Sequence, residues 1–275
     1  MKKRIIALVA AAAVLIGAAG CCSIDVNFNG KSSSSDLSSE KQTEINTQPK
    51  SEQPKAEEPK AEAKTNPDVQ TSSDKLYNYI DVYKSASVDY TDEVGNSYSS
   101  TYTVPEILLN SEDASEVNSE IQRECEKKIR DSENAEKNKS SLICLGIEYE
   151  AWLNGNILSL TISEKYDGSY THYLVYSFDV RTGEELDNDE FAVDMGISEN
   201  ELDKRIKTAM TDFFKNEYSS MAGDSLYDLQ LNKTLSEDNV DEAEVYYGEN
   251  GVPYVWCCIY SLAGAEIYEH LLKLN

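Results

Sequence analysis

The chain has 275 residues, 50 acidic against 25 basic side chains and a formal net charge of −25, with 40% hydrophobic residues. Acidity on this scale repels phosphate and other anionic polymers, so it argues against nucleic acid as a partner of the folded part and leaves a cationic partner, or plain solubility, as its use. Six cysteines without any Cys-x-x-Cys spacing, and two histidines, spell neither a zinc site nor a dense disulfide framework, and no cofactor is expected.

Lys2, Lys3 and Arg4 precede an uncharged apolar run, Ile5 to Ala19, that ends in Ala18-Ala19-Gly20-Cys21. These are the basic, apolar and small-residue parts of an export signal. The run is short for crossing about 30 Å of hydrocarbon at a rise of about 1.5 Å per residue, which favours a cleaved signal over an anchor. The pattern resembles a bacterial lipoprotein signal, in which a cysteine after small residues becomes the diacylated N-terminus. That resemblance implies a signal peptide over residues 1–20 and attachment to the lipid bilayer through a diacylglyceryl group on Cys21, on the outer face of the cytoplasmic membrane. Ala18 stands where such signals usually carry leucine. From Ser23 to Lys75 the chain is Ser, Glu, Lys, Gln, Pro and Thr, with a serine run at Ser32 to Ser35 and prolines at 49, 54 and 59. So few apolar side chains cannot offset the entropy of ordering, and residues 21–75 are expected to be a disordered tether spanning about 40 Å.

A single folded domain is expected over residues 76–275. Tyr77 to Tyr90 and Tyr98 to Val104 alternate as paired strands across Val94-Gly95-Asn96, with Pro105 ending the second. A helix follows, capped by Asn110 or Ser111. Glu112 and Asp113 suit its positive end, Ala114, Val117, Ile121, Cys125 and Ile129 form its apolar stripe, and Lys127, Lys128 and Arg130 occupy its last turns. The stretch from Ile143 to Phe191 reads as a three-strand meander with turns at Asn154-Gly155, Asp167-Gly168 and Thr182-Gly183. Its first strand turns Ile147, Tyr149, Ala151 and Leu153 inward, its second Leu158, Leu160 and Ile162, its third Leu174, Tyr176 and Phe178; Ser159, Thr161 and Ser163 are expected to point outward. Ser198, with Glu201 at capping-box spacing, opens a second helix with the stripe Leu202, Ile206, Ala209, Phe213 and Phe214. Val245 to Tyr247 and Val252 to Tyr260 form a last hairpin across Gly248 to Gly251. Both faces of its second strand are apolar, which marks a central strand. The spacing of Ile267, Tyr268, Leu271 and Leu272 predicts a short amphipathic C-terminal helix. The expected class is α+β: an antiparallel sheet built from hairpins and a three-strand meander, packed with two main helices and the short C-terminal helix.

Several stretches resemble the extracellular DUF3298 and DUF4163 pair found in Firmicutes. They are Val104-Pro105-Glu106-Ile107 running into Ser111-Glu112-Asp113-Ala114 and Val117 to Ile121; Tyr166-Asp167-Gly168; Tyr176 to Leu186; and Ile259 to Glu266. The order of these stretches carries the likeness over about residues 77 to 275, since no single motif is diagnostic. The resemblance implies a cell-surface binding or sensing module. Relatives of this kind stand beside polysaccharide deacetylase domains, or form the outer part of an anti-sigma factor that binds lysozyme; neither companion is legible in these 275 residues. Implied partners are a basic protein such as lysozyme, or peptidoglycan. An accessory or enzyme of peptidoglycan modification is the alternative.

Candidate chemistry is sparse. His172 falls on the apolar face of the third meander strand and His270 in the expected terminal helix, without a His-x-x-x-His or Gly-x-Ser-x-Gly companion. Ser-x-x-Lys at Ser38 and Ser72 lies in the tether and has no Ser-Asp-Asn partner. Glu184, Glu185, Asp187, Asp189 and Glu190 are the candidate binding residues. They lack the glycine and terminal glutamate of a calcium loop, and a solvated turn is their bland reading. No catalytic or metal-ligating residue is assigned, and a non-enzymatic role is expected. The tyrosines and tryptophans are numerous enough for a binding face, although on strands such residues more often pack in cores.

Overall fold

A computed structural model of the chain describes residues 76–91, 97–134, 143–166, 170–262 and 267–275. The chain divides into two units, Met1–Ala63 and Lys64–Asn275, and the described residues all belong to the second. The signal peptide, Cys21 and the tether lie outside the described residues, as do the turns at Val94-Gly95-Asn96 and Asp167-Gly168.

The architecture is α+β with two sheets. Strands β1 (Ile80–Thr91), β2 (Ser97–Ile107), β3 (Gly146–Asn154), β4 (Ile157–Lys165) and β5 (Thr171–Asp179) form a five-stranded sheet in that order. Strands β6 (Glu244–Tyr247), β7 (Pro253–Tyr260) and β8 (Ile267–Lys273) form a separate antiparallel sheet with β7 in the centre. The larger sheet is mixed, because β2 pairs with β3 in parallel through Thr101–Gly146 and Tyr102–Ile147. This corrects the expectation of one antiparallel sheet. Each hairpin is legible in its own residues, but a junction two pairs long leaves no pattern in the sequence.

Helix α1 (Glu112–Glu133) lies on one face of the larger sheet. Ser111 caps it by accepting the Ala114 N–H at 3.2 Å, and Ala114, Val117, Ile121, Cys125 and Ile129 are buried, as the stripe requires. They pack on Val104, Ile147, Leu158, Leu160, Ile162, Tyr176 and Phe178 to make the first core. The second core lies between the smaller sheet and α3 (Glu199–Glu217), where Leu202, Ile206, Met210 and Phe214 meet Val255, Cys257 and Ile259. Ser198 caps α3 through the Glu201 N–H, while the Glu201 carboxylate turns to Arg205 at 3.3 Å rather than back to the cap. Three short helices, α2 (Asn188–Asp194), α4 (Tyr227–Thr234) and α5 (Glu237–Asp241), complete the second layer.

Three further expectations are corrected. The C-terminal segment is a strand: Ile267 to Lys273 pairs with β7 from Tyr260–Ile267 to Tyr254–Lys273. The apolar spacing of so short a run suits either state, and a central β7 needs a partner on its second edge. Pro105 lies within β2, opposite Val82, where the register of β1 shifts between Val82 and Lys84. A bulge is where a strand tolerates a residue without an N–H. Finally, Ser159 and Thr161 are buried, because β6 packs across their face of β4: Tyr247 N–H donates to Ser159 Oγ at 3.0 Å, and Ser159 Oγ lies 3.2 Å from Ser177 Oγ.

Candidate functional site

The five acidic candidates are not gathered at one point. Asp187 is the N-cap of α2. It accepts the N–H groups of Asp189 at 3.1 Å and Glu190 at 3.2 Å, and the Glu190 carboxylate accepts the Asp187 N–H at 2.9 Å, a complete capping box. Glu185 is tied by its N–H to Asp113 of α1 at 3.0 Å, and Glu184 and Asp189 face solvent. Among the described residues no group of three or more His, Cys, Asp or Glu side chains could hold a metal ion.

Ionisable groups instead concentrate where β5, β7 and β8 meet. Glu269 of β8, with 9% of its side chain exposed, accepts hydrogen bonds at both oxygens. Oε1 lies 2.5 Å from His172 Nδ1 and accepts from the Tyr170 hydroxyl at 3.2 Å; Oε2 accepts from the Tyr173 backbone N–H at 2.8 Å and Trp256 Nε1 at 2.9 Å. The carboxylate thus covers the outer edge of β5 and joins it to the smaller sheet. Burial disfavours charge on both partners, yet the His172–Glu269 attraction outweighs it. The imidazole pKa is raised, and the carboxyl pKa is lowered with help from the Tyr173 and Trp256 donors. On the next strand Glu164, fully buried, is met by Lys128 of α1 at 2.5 Å and by the Tyr166 hydroxyl at 3.2 Å.

This cluster has the parts of a brace. A carboxylate orienting a histidine also occurs in nucleophilic catalysis, but among the described residues no hydroxyl or thiol is hydrogen-bonded to the His172 ring. Cys125, Cys144, Cys257 and Cys258 are free thiols. Burial pushes Cys125 and Cys258 up to about 12 and Cys144 up to about 11, and raises Cys257 as well, so none is a thiolate at neutral pH. His270 is a β8 residue rather than a helical one. Its ring packs 4.2 Å from that of Phe213, and burial lowers its pKa.

A different place is open. On the outer face of the larger sheet Ser159, Thr161 and Ser177 are buried where β6 packs, whereas Glu148 and Glu150 on the same face of β3 are exposed. There a groove of about 480 Å³ is lined by Thr103 of β2, Glu148, Tyr149 and Glu150 of β3 and Ser163 of β4. Glu148 is 59% exposed and reaches Lys165 at 2.6 Å. Next along β3, Trp152 stacks on Tyr246 at 5.8 Å, and Tyr246 on Tyr254 at 5.6 Å. Burial, then the nearby Tyr254 and Glu150, raise the Tyr246 phenol pKa, which places Glu150 beside the stack. Two carboxylates against an aromatic wall suit a cation with an apolar stem, such as a lysine or arginine side chain. The sequence carried one clue, the alternation Glu148, Glu150, Trp152 on the polar side of β3. A second concavity, of about 360 Å³, is a shallow stripe along the solvent side of α3 between Asn200 and Asp212.

Among the described residues no helix is long and apolar enough to cross a membrane. No family model matches the chain, and no curated protein matches it. A crystal structure of a DUF3298 family member from Bacteroides fragilis is similar at 15% identity and a TM-score of 0.30, covering 70% of this chain and 89% of that one. A likeness at that level bears on neither ligand nor mechanism.

Proposed function

We propose that this chain is a lipid-anchored protein of the bacterial cell envelope whose folded part, of DUF3298/DUF4163 type, binds or senses a basic extracellular protein without chemical turnover. The observation that carries the reading is the groove lined by β2, β3 and β4 of the larger sheet. There Glu148 and Glu150 stand exposed beside the Trp152–Tyr246 stack, on a sheet backed by a packed core. The net charge of −25 adds a field that draws a cationic partner toward any part of the surface. The signal-like segment before Cys21 supports the anchor, and the composition of residues 23–75 supports a tether that holds the domain away from the bilayer. Lysozyme is the first partner to try, because it is basic, extracellular and the ligand of the anti-sigma relatives that the sequence resembles.

The test is calorimetric titration of the intact protein with hen lysozyme at low and physiological salt, beside an unrelated protein of equal acidity. Binding that exceeds the control and persists at physiological salt supports the reading. Binding equal to the control removes it, and hydrolysis or modification of peptidoglycan fragments by the protein would replace it with the enzymatic alternative.

A further inference from the structure

The larger sheet is two ribbons held together by a short seam. β1 pairs with β2 along the whole hairpin, and β3, β4 and β5 pair along their full lengths, while the ribbons meet through Thr101–Gly146 and Tyr102–Ile147. From Thr103 and Glu148 onward each strand keeps a partner on one side and turns its other edge toward the groove. At the far end of β2 the Asn118 side chain bonds both the N–H and the C=O of Ile107, each at 2.8 Å, as a neighbouring strand would. Edge groups alternate along a strand, so Thr103 and Pro105 turn theirs to the same side as Ile107; the Tyr102–Ile147 match takes the Thr103 N–H to Ile147 C=O, and proline has no N–H, so β2 offers no donor there. On β3 the peptide groups of Tyr149 and Ala151 turn to the same side as those of Ile147, and among the described residues no strand pairs with that edge beyond Ile147. An edge with free peptide groups is a template for another strand.

The side chains around that edge specify what strand it takes. Glu148 and Glu150 are alternate residues on one face of β3 and match the spacing of alternate side chains on an added strand. Lys165 is paired with Glu148, and among the described residues Glu150 has no ion-pair partner. Trp152, two residues on from Glu150 and on the same face, supplies the wall for an aliphatic stem, while Tyr149 lies on the opposite face against the first core.

We propose that the groove between β2 and β3 receives an extended, lysine- or arginine-bearing segment of a protein partner as an added strand on the free edge of β3, its cationic side chains over Glu148 and Glu150. This deepens the basic-partner reading and rests on it. The probe is the peptide acetyl-(Lys-Thr)4-amide, titrated into the intact protein beside the same peptide N-methylated at every residue, which keeps the charges and loses the backbone donors. The methylated peptide should bind about tenfold more weakly. The double substitution Glu148→Gln, Glu150→Gln should weaken the unmethylated peptide by a similar factor while leaving the unfolding temperature in place, since both side chains are exposed. Equal affinity for the two peptides overturns strand addition and leaves the basic-partner reading standing. Affinity untouched by the double substitution puts the site elsewhere and overturns it too, as does a groove that takes N-acetylglucosamine oligomers and neither peptide. Failure of the underlying reading would appear separately, as no salt-sensitive binding of lysozyme.

Discussion

Glu269 accepts hydrogen bonds from four different residues, and its titration should be visible in stability. His172 holds its proton more tightly in the folded state, so its contribution is full below about pH 6.5 and is lost as pH rises through the raised pKa. Glu269 is the opposite case: its contribution is present above the ordinary carboxylate range and is lost as pH falls through the lowered pKa. Both act together between about pH 5 and pH 6.5. His270, with a lowered pKa, favours folding increasingly as pH rises through the same region and partly masks His172. The stability difference between wild type and His172→Gln isolates the pair: it should be largest near pH 5.5 and shrink toward pH 8 in urea titrations. A difference that is flat across that range would show that the contact carries no charge. Lys128 offers a second residue-level test, because Glu164 is wholly buried against it. Lys128→Met strands the carboxylate and should cost about 3 kcal/mol, whereas Lys128→Met combined with Glu164→Leu should recover most of that loss. Neither pairing was legible in the sequence. Lys128 reads as a cation suited to the end of a helix and Glu164 as the polar end of a strand, and only the packing of α1 on β4 brings them together.

Elements divide into those whose ends are written locally and those fixed by a neighbour. α1 was legible to within one residue of its cap, Asn110 or Ser111, and α3 to its cap Ser198, because acidic first turns and apolar stripes follow them; in α3 the buried stripe runs through Met210 rather than Ala209 and Phe213. α2 was missed because its cap, Asp187, and its closing Glu190 sit in an acidic run that reads as a solvated turn. The seven-residue helix ends at Gly196, where φ is 69° and the Ile197 and Gly196 N–H groups return to Ala192 and Val193. If Asp187 serves the helix rather than a ligand, Asp187→Ala should cost about 1 kcal/mol and leave affinity for a basic partner within twofold. A larger loss of affinity at constant stability would restore the acidic run as a site. Glycines separate in the same way. Gly196→Ala meets no neighbour and should cost about 1 kcal/mol through its backbone angle alone. Gly183 has a φ of 77° and a Cβ there would lie 2.6 Å from Ser111 Cβ, so Gly183→Ala should cost about 2 kcal/mol or more and loosen the N-terminus of α1. Thermal unfolding of the two variants side by side checks the order.

At the scale of the whole molecule, two packed cores meet through a face of serine and threonine, Ser159, Thr161 and Ser177, that the strand pattern assigns to solvent. Partial cover of that face decides where the groove lies, so the site could not be located from sequence even though Glu148, Glu150 and Trp152 alternate plainly in it. The net charge was legible at once, and it acts differently from the groove. A diffuse field accelerates encounter over distances comparable with the Debye length, about 8 Å at physiological salt and longer below it, while desolvated contacts at the site set residence time. Association with a basic partner should therefore slow by tenfold or more between about 20 mM and 150 mM salt, with dissociation changing much less. Glu148→Gln with Glu150→Gln removes two of many negative charges. It should leave the salt slope of the association rate nearly intact and raise the dissociation rate. Stopped-flow or surface-based kinetics at several ionic strengths read both rates. If the double variant lowers association and leaves dissociation unchanged, the two carboxylates are only part of the general field, and the partner's contact surface lies outside the groove.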